Sequence, residues 1–288
     1  MAAMQEFVVD TAFGRLAGLR NGRSQAPKLL ALHGWLDNAA SFVPLAPWLD
    51  GFDLVAPDLP GHGASAHLPA AAEYTLIAAA RAALAVADAL GWQHFHLLGH
   101  SLGGATASFV AAATPQRVDK LLLIEALGSL SESEERVGAR LREAFAGMAA
   151  IDGKQLRVFS DIATAIKARV IANDLSEPAA RLLVERGVAP VRGDGGAAGF
   201  VWRSDPRLTL TSALRMNEAQ MRALIRAIDS PTCMIWADPA QSYMPDAVRR
   251  ERAALLRDGE LHIHAGTHHL HMEQPQLVGE LFREFLLR

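Results

Sequence analysis

The chain has 288 residues, with 28 Lys and Arg against 31 Asp and Glu for a formal net charge of −3, half of its residues apolar and 20% charged. That balance excludes a disordered chain, which needs low hydrophobicity and high charge, and no period marks a collagen or a coiled coil. It also leaves no basic footprint for nucleic acid and no polybasic patch for anionic lipid, so a small molecule is the expected partner. From the N-terminus, short β-rich apolar runs alternate with longer helical patterns, the signature of a parallel sheet wrapped by helices. Strands are expected over residues 7–9, 15–19, 29–32, 54–56, 94–98, 121–125, 232–237 and 261–264. Helical spacing runs over residues 76–90, where Gly91 stops it, then over 102–113, and again over 277–287.

The alternation breaks once. Between about Ser129 and Asp229 there is no convincing strand, only helical spacing such as Val137, Leu141, Phe145 and Met148, followed by a mobile-looking glycine-rich loop from Gly193 to Gly199. Because the strand pattern resumes at Pro231, this stretch reads as a helical cap inserted into one domain. Residues 1–128 and 230–288 then form the core and 129–229 the cap.

Cys233 is the single cysteine, so neither an internal disulfide nor a CxxC pair can form, which fits a reducing compartment. The segment from Met1 to Phe7 lacks the basic patch and apolar run of a signal peptide, and no stretch approaches the length of a membrane span. The expected location is cytoplasmic, with no membrane partner. Oligomeric state has no signature.

The chemistry concentrates at Gly99-His100-Ser101-Leu102-Gly103, a G-x-S-x-G element between an expected strand and an expected helix. A sharp strand-to-helix reversal brings backbones too close for a Cβ on either side, hence the glycines, and it projects the serine hydroxyl at a helix N-terminus. A serine hydroxyl needs a base to accept its proton, and histidine suits that task near neutral pH. His262, His264, His268, His269 and His271 crowd around the last expected strand. His262 and His264 lie within it, whereas His268 follows it, at the same sheet edge as Ser101. No metal site is expected, because Glu273 is the only nearby carboxylate and the spacing matches no zinc motif.

Taken together, His33-Gly34-Trp35, the turn from Asp58 to Ser65, the serine elbow and the segment from Gly266 to Pro275 resemble the α/β-hydrolase superfamily in order and over essentially the whole chain. The segments from His33 to Phe42 and from Trp202 to Leu208 are most similar to its serine hydrolase-like group. The resemblance implies an α/β-hydrolase fold, an eight-stranded mostly parallel sheet flanked by helices with an inserted helical cap. It also implies Ser101 as nucleophile, His268 as base, and the backbone N–H groups of Trp35 and Leu102 as the oxyanion hole. His33, His62, Ser65 and His100 are expected to order turns or pack, and His269 and His271 to pack at the pocket rim. Among the aromatic residues Trp35 is the favoured pocket residue, ahead of Phe42, Phe145, Phe159, Phe200 and Trp202.

The acid departs from the family pattern. After the seventh expected strand, Ala237-Asp238-Pro239-Ala240 leaves alanine where the family has aspartate, with Asp238 two residues early. A known variation puts the acid at the end of the preceding strand, where Glu125 closes an apolar run. A carboxylate there is costly without a partner, and an imidazole N–H is a good one, so Glu125 is favoured and Asp238 is the alternative. The expectation is a cofactor-free carboxylesterase-like serine hydrolase acting on a small, mainly apolar ester-like substrate. A carbon–carbon bond hydrolase or a perhydrolase on the same triad, or a binding protein that has lost turnover, are the rivals.

Overall fold

Strands that read as unbroken apolar runs have to be covered on both faces. The structure, a computed structural model describing residues 4–151, 157–192 and 198–288, covers them with helices on each side. In chain order the strands are β1 (Gln5–Thr11), β2 (Gly14–Arg20), β3 (Lys28–Leu32), β4 (Asp53–Pro57), β5 (Phe95–His100), β6 (Val118–Ile124), β7 (Val188–Arg192), β8 (Ala198–Trp202), β9 (Thr232–Asp238) and β10 (Gly259–Ala265). Eight of them form one sheet in the order β1-β2-β4-β3-β5-β6-β9-β10. Only β2 runs antiparallel to its neighbours, and the remaining pairs are parallel. The helices are α1 (Leu76–Ala89), α2 (Leu102–Ala113), α3 (Val137–Ala150), α4 (Ile162–Asn173), α5 (Glu177–Gly187), α6 (Glu218–Arg226), α7 (Asp246–Ala253), α8 (Leu270–Glu273) and α9 (Pro275–Leu287).

Alternate side chains of each central strand serve the two layers. Leu30, Leu32, Leu97, Leu121, Leu123 and Trp236 join Ala83 and Val86 of α1 and Val110 of α2. Leu29, Ala31, Leu98, Leu122, Ile124 and Ile235 face Val278 and Phe282 of α9. Each expected strand is present and extended by one to three residues at one or both ends, except that Glu125 falls just beyond β6 and His94 just before β5. Cys233 is buried in β9, where desolvation pushes its thiol up to about 12 and leaves it inert at neutral pH.

The inserted segment differs from expectation in two ways. It contains a hairpin, β7 with β8, where no strand was expected, because Val188-Ala189-Pro190-Val191 is too short a run to stand out from helical spacing. Its last helix, α6, buries Met221 and Ile225 in the main core instead of in the cap. The rest has a small core of its own, in which Phe159, Ile166, Leu183, Val184 and Val188 enclose Met272 from α8. Of the glycine-rich loop, Gly193 to Ala197 lie outside the described residues, as do Met1 to Ala3.

Candidate active site

The parallel strands end on one edge, and their ends carry the chemistry. Ser101 sits between β5 and α2 at φ 52° and ψ −115°, a conformation that side-chain-bearing residues rarely adopt. The turn is tight because α2 starts hard against β3. A Cβ added to Gly103 would lie 1.9 Å from the Leu32 carbonyl oxygen, so no other residue fits there. The ladder continues past the strand ends: the Ser101 N–H donates to Ile124 O at 2.9 Å, and the Glu125 N–H donates to Ile235 O at 3.0 Å. Serine and glutamate are thereby held on adjacent strands.

Glu125 also has left-handed backbone, at φ 56°. Its side chain is buried, with Oε2 accepting from His268 Nδ1 at 2.9 Å and Oε1 accepting from the Ala237 N–H at 2.6 Å. The counter-charge is Arg249 of α7, whose guanidinium stands 3.7 Å from Oε1, donates to Ala237 O at 2.6 Å and lies over the Trp236 ring. Asp238 ends β9 exposed, and its carboxylate makes no hydrogen bond or ion pair among the described residues. Between the two carboxylates weighed from sequence, the structure brings Glu125 to His268. Arg249 went unread because Asp246-Ala247-Val248-Arg249-Arg250-Glu251-Arg252 reads as a solvated helix, and nothing local separates Arg249 from Arg250.

The His268 imidazole is one-fifth exposed, and its Nδ1 also has the Tyr243 hydroxyl at 3.5 Å. With Nδ1 turned to Glu125, Nε2 is left as the atom that can take a proton. The Ser101 hydroxyl makes no hydrogen bond among the described residues, so the serine and the histidine share one sheet edge without a direct bond between them. Hydrogen bonds of this kind commonly close only around substrate.

Among the described residues two N–H groups near the strand ends have no hydrogen-bond partner. Leu102 is the first residue of α2, so its amide has no partner within the helix, and the Trp35 amide makes no hydrogen bond either. The Trp35 side chain is half exposed, and its indole N–H donates to Leu208 O at 2.9 Å, tying the turn after β3 to the inserted segment. Phe42 and Phe159 are fully buried core residues, whereas Phe145 is exposed.

The other histidines divide into two groups. His33 is structural: Nδ1 donates to Gly34 O at 2.8 Å, and Nε2 accepts from the Leu59 N–H at 2.9 Å. His62 Nδ1 bonds Pro60 O and Ser65 Oγ bonds Asp58 O, so the turn from Asp58 to Ser65 is braced from within, as expected. Asp58 itself is buried, accepting from the Ala39 and Ala64 amides and pairing with Arg186 of α5 at 2.8 Å. His100, His269 and His271 instead gather behind the serine with Asp37. Burial pushes His100 down to about 4, so it is neutral, and its 3.6 Å approach to Asp37 is not an ion pair. Burial alone would raise the Asp37 carboxyl, but the facing His269 ring and the Arg169 guanidinium overcome it and hold it well below the usual range. The carboxylate that the histidine-rich loop lacks in sequence thus arrives from the other end of the chain.

Residues 27–275 match the family model of the α/β hydrolase fold. A serine hydrolase-like protein of Dictyostelium discoideum is 29% identical, over 92% of this chain and 76% of its own. Serine hydrolase-like protein 2 of Homo sapiens is 30% identical, over 98% of this chain and 94% of its own. Among solved structures, a hypothetical protein from Pseudomonas aeruginosa PAO1 superposes with a TM-score of 0.92 at 35% identity, covering 99% of this chain and all of that one.

Proposed function

The chain belongs to the α/β-hydrolase fold family, in its serine hydrolase-like group, and we propose that it cleaves an ester-like bond of a small, mainly apolar substrate with Ser101, His268 and Glu125 as its triad. A hydrolase is what fold and relatives support; the bond and the triad are our reading. The observation that carries it is the 2.9 Å link between His268 Nδ1 and the buried Glu125 carboxylate at the sheet edge that also presents Ser101.

In this reading Ser101 Oγ attacks the carbonyl carbon while His268 Nε2 takes its proton. Glu125 holds the ring in the tautomer that leaves Nε2 free and stabilises the imidazolium that forms. The oxyanion is received by the Trp35 and Leu102 N–H groups, at the positive end of α2. His268 then returns the proton to the leaving alcohol, and the acyl-enzyme is hydrolysed by water activated in the same way. The exposed faces of Trp35 and Tyr243 beside the site favour an apolar acyl or alcohol group. A location in a reducing, cytoplasmic compartment belongs to the same reading, through the lone buried cysteine. A binding protein without turnover is the reading that a missing late acid would favour, and the link from Glu125 to His268 supports the catalytic reading instead.

The test is a fluorophosphonate probe together with a series of p-nitrophenyl esters from acetate to decanoate. Rapid labelling of the protein at Ser101 is expected, and Ser101→Ala should lose labelling and lower kcat by roughly 10^4-fold or more while keeping its fold. Full esterase activity in that variant would exclude the serine mechanism.

A further inference from the structure

The cluster of Asp37, His100 and His269 has no part in the mechanism above, and its geometry is not that of ordinary packing. Asp37 Oδ2 lies 3.3 Å from His269 Nε2 and 3.6 Å from His100 Nδ1, and these three atoms lie within 4.8 Å of one another. All three side chains are at least 97% buried. The His100 tautomer follows from its other nitrogen: Nε2 faces the His268 carbonyl oxygen at 2.9 Å, and a carbonyl only accepts, so Nε2 carries the proton. Nδ1 then turns a lone pair toward a carboxylate oxygen and has no hydrogen-bond partner. Two electron-rich atoms facing each other in a dry interior are favourably bridged by a cation. Gly34 faces the same two atoms, and an added Cβ there would stand 2.9 Å from both Asp37 Oδ2 and His100 Nδ1.

We propose that Asp37 Oδ2, His100 Nδ1 and His269 Nε2 form a binding site for a borderline-soft divalent transition ion such as Zn2+. Ligand atoms bonded to a tetrahedral zinc at about 2.0–2.1 Å stand roughly 3.3 Å apart, close to the two measured edges. The donor set of two imidazoles and one carboxylate suits zinc, nickel or copper and not calcium or magnesium. Beside the site, both ring nitrogens of His271 are buried without a partner, and its ring lies 4.3 Å from that of His100 between centroids. The His268 carbonyl, accepting from His100 Nε2, fixes the tautomer that turns Nδ1 toward the ion, and Arg169 of α4 pairs with Asp37 Oδ1. A small pocket lined by Leu36, Asn38, Arg169, Leu183 and Trp202 borders Asp37. The sequence shows no zinc-motif spacing and only Glu273 near these histidines; Asp37 supplies a carboxylate from the other end of the chain. Arg169 works against the ion, because its charge lies on the same carboxylate.

The site is independent of the hydrolytic reading, and its test reads binding, not turnover. Chelator-stripped protein is titrated with Co2+ while visible absorption is followed, then with Zn2+ by calorimetry, and thermal unfolding is measured with and without Zn2+. A four-coordinate Co2+ band, stoichiometric Zn2+ binding and a rise in Tm are expected, in Ser101→Ala as in the parent. Asp37→Asn and His269→Gln should each weaken binding by at least about a hundredfold, whereas Arg169→Met should tighten it by about tenfold. His262→Gln should have no effect, since it disrupts the second grouping of possible ligands, Cys233, Glu260 and His262. The proposal is overturned by the absence of Co2+ and Zn2+ binding up to millimolar concentration, by binding that survives both Asp37→Asn and His269→Gln, or by binding lost in His262→Gln.

Discussion

At the scale of single residues, the acid of the triad can be tested most sharply. Glu125→Gln keeps a side chain that can hydrogen-bond to His268 but removes the charge that stabilises the imidazolium, so kcat should fall by roughly 10^3- to 10^4-fold. Asp238→Asn should leave kcat within about twofold, because an exposed carboxylate with no partner has nothing to lose. The reverse ranking would transfer the role to Asp238. Gly103→Ala tests the elbow itself. Its Cβ would fall 1.9 Å from the Leu32 carbonyl oxygen, a backbone atom that cannot rotate away. The variant should lose about 3 kcal/mol of stability or fail to fold, as read from urea melts.

At the scale of elements, the inserted segment meets the turn after β3 through Asn38, which donates to Leu183 O, through the pairing of Arg169 with Asp37, and through the Trp35 indole, which donates to Leu208 O. Trp35→Phe keeps the ring and the backbone amide but drops that tether, so the amide should be less well oriented and kcat should fall about threefold to tenfold, with the fold unchanged. An unchanged kcat would mean that the Trp35–Leu208 tether does not orient the amide. The cations of the same segment do not mark a wide apolar face for lipid. Of its cations, Arg140 turns inward to pair with Glu132 at 2.9 Å, and Arg157 lies over the Phe159 ring; Lys154 is outside the described residues. Short and medium acyl esters should therefore be cleaved faster than emulsified triglyceride, and a preference for triolein over p-nitrophenyl butyrate would contradict this.

At the scale of the whole molecule, buried histidines link stability to pH. Burial lowers His62 from 6.5 to about 3, with the neighbouring His33 adding to it, and burial lowers His33 as well. The unfolded chain binds these protons near pH 6.5, while the folded chain refuses them until far lower pH. Protons therefore favour the unfolded state across that window. The contribution is fully present above about pH 6.5 and is lost progressively toward pH 3, on the order of a few kcal/mol for His62. Urea midpoints should fall between pH 8 and pH 4.5, and His62→Gln should flatten that dependence. Equal midpoints at both pH values in the parent protein would show that these rings are protonated or exposed in solution. No helix among the described residues is long and apolar enough to cross a membrane.

The sheet and the elbow are legible in the sequence because both are local. A strand covered on two faces must be a continuous apolar run, and a tight strand-to-helix reversal needs glycines at fixed offsets around its serine, so Leu29 to Leu32, Leu121 to Ile124 and Gly99 to Gly103 announce themselves. Glu125 is legible for a similar reason, as a charge that closes an apolar strand and needs a partner. Contacts made across the chain are not legible. Arg249 balances Glu125 from a helix that reads as solvated surface, α6 leaves the inserted segment for the core, and Asp37 meets His269 across 232 positions. Each depends on where a strand end or helix face finally comes to rest, which is set by sheet order and packing in three dimensions. Residue spacing holds the chemistry of a single turn, while only the tertiary fold decides which distant charges share one buried pocket.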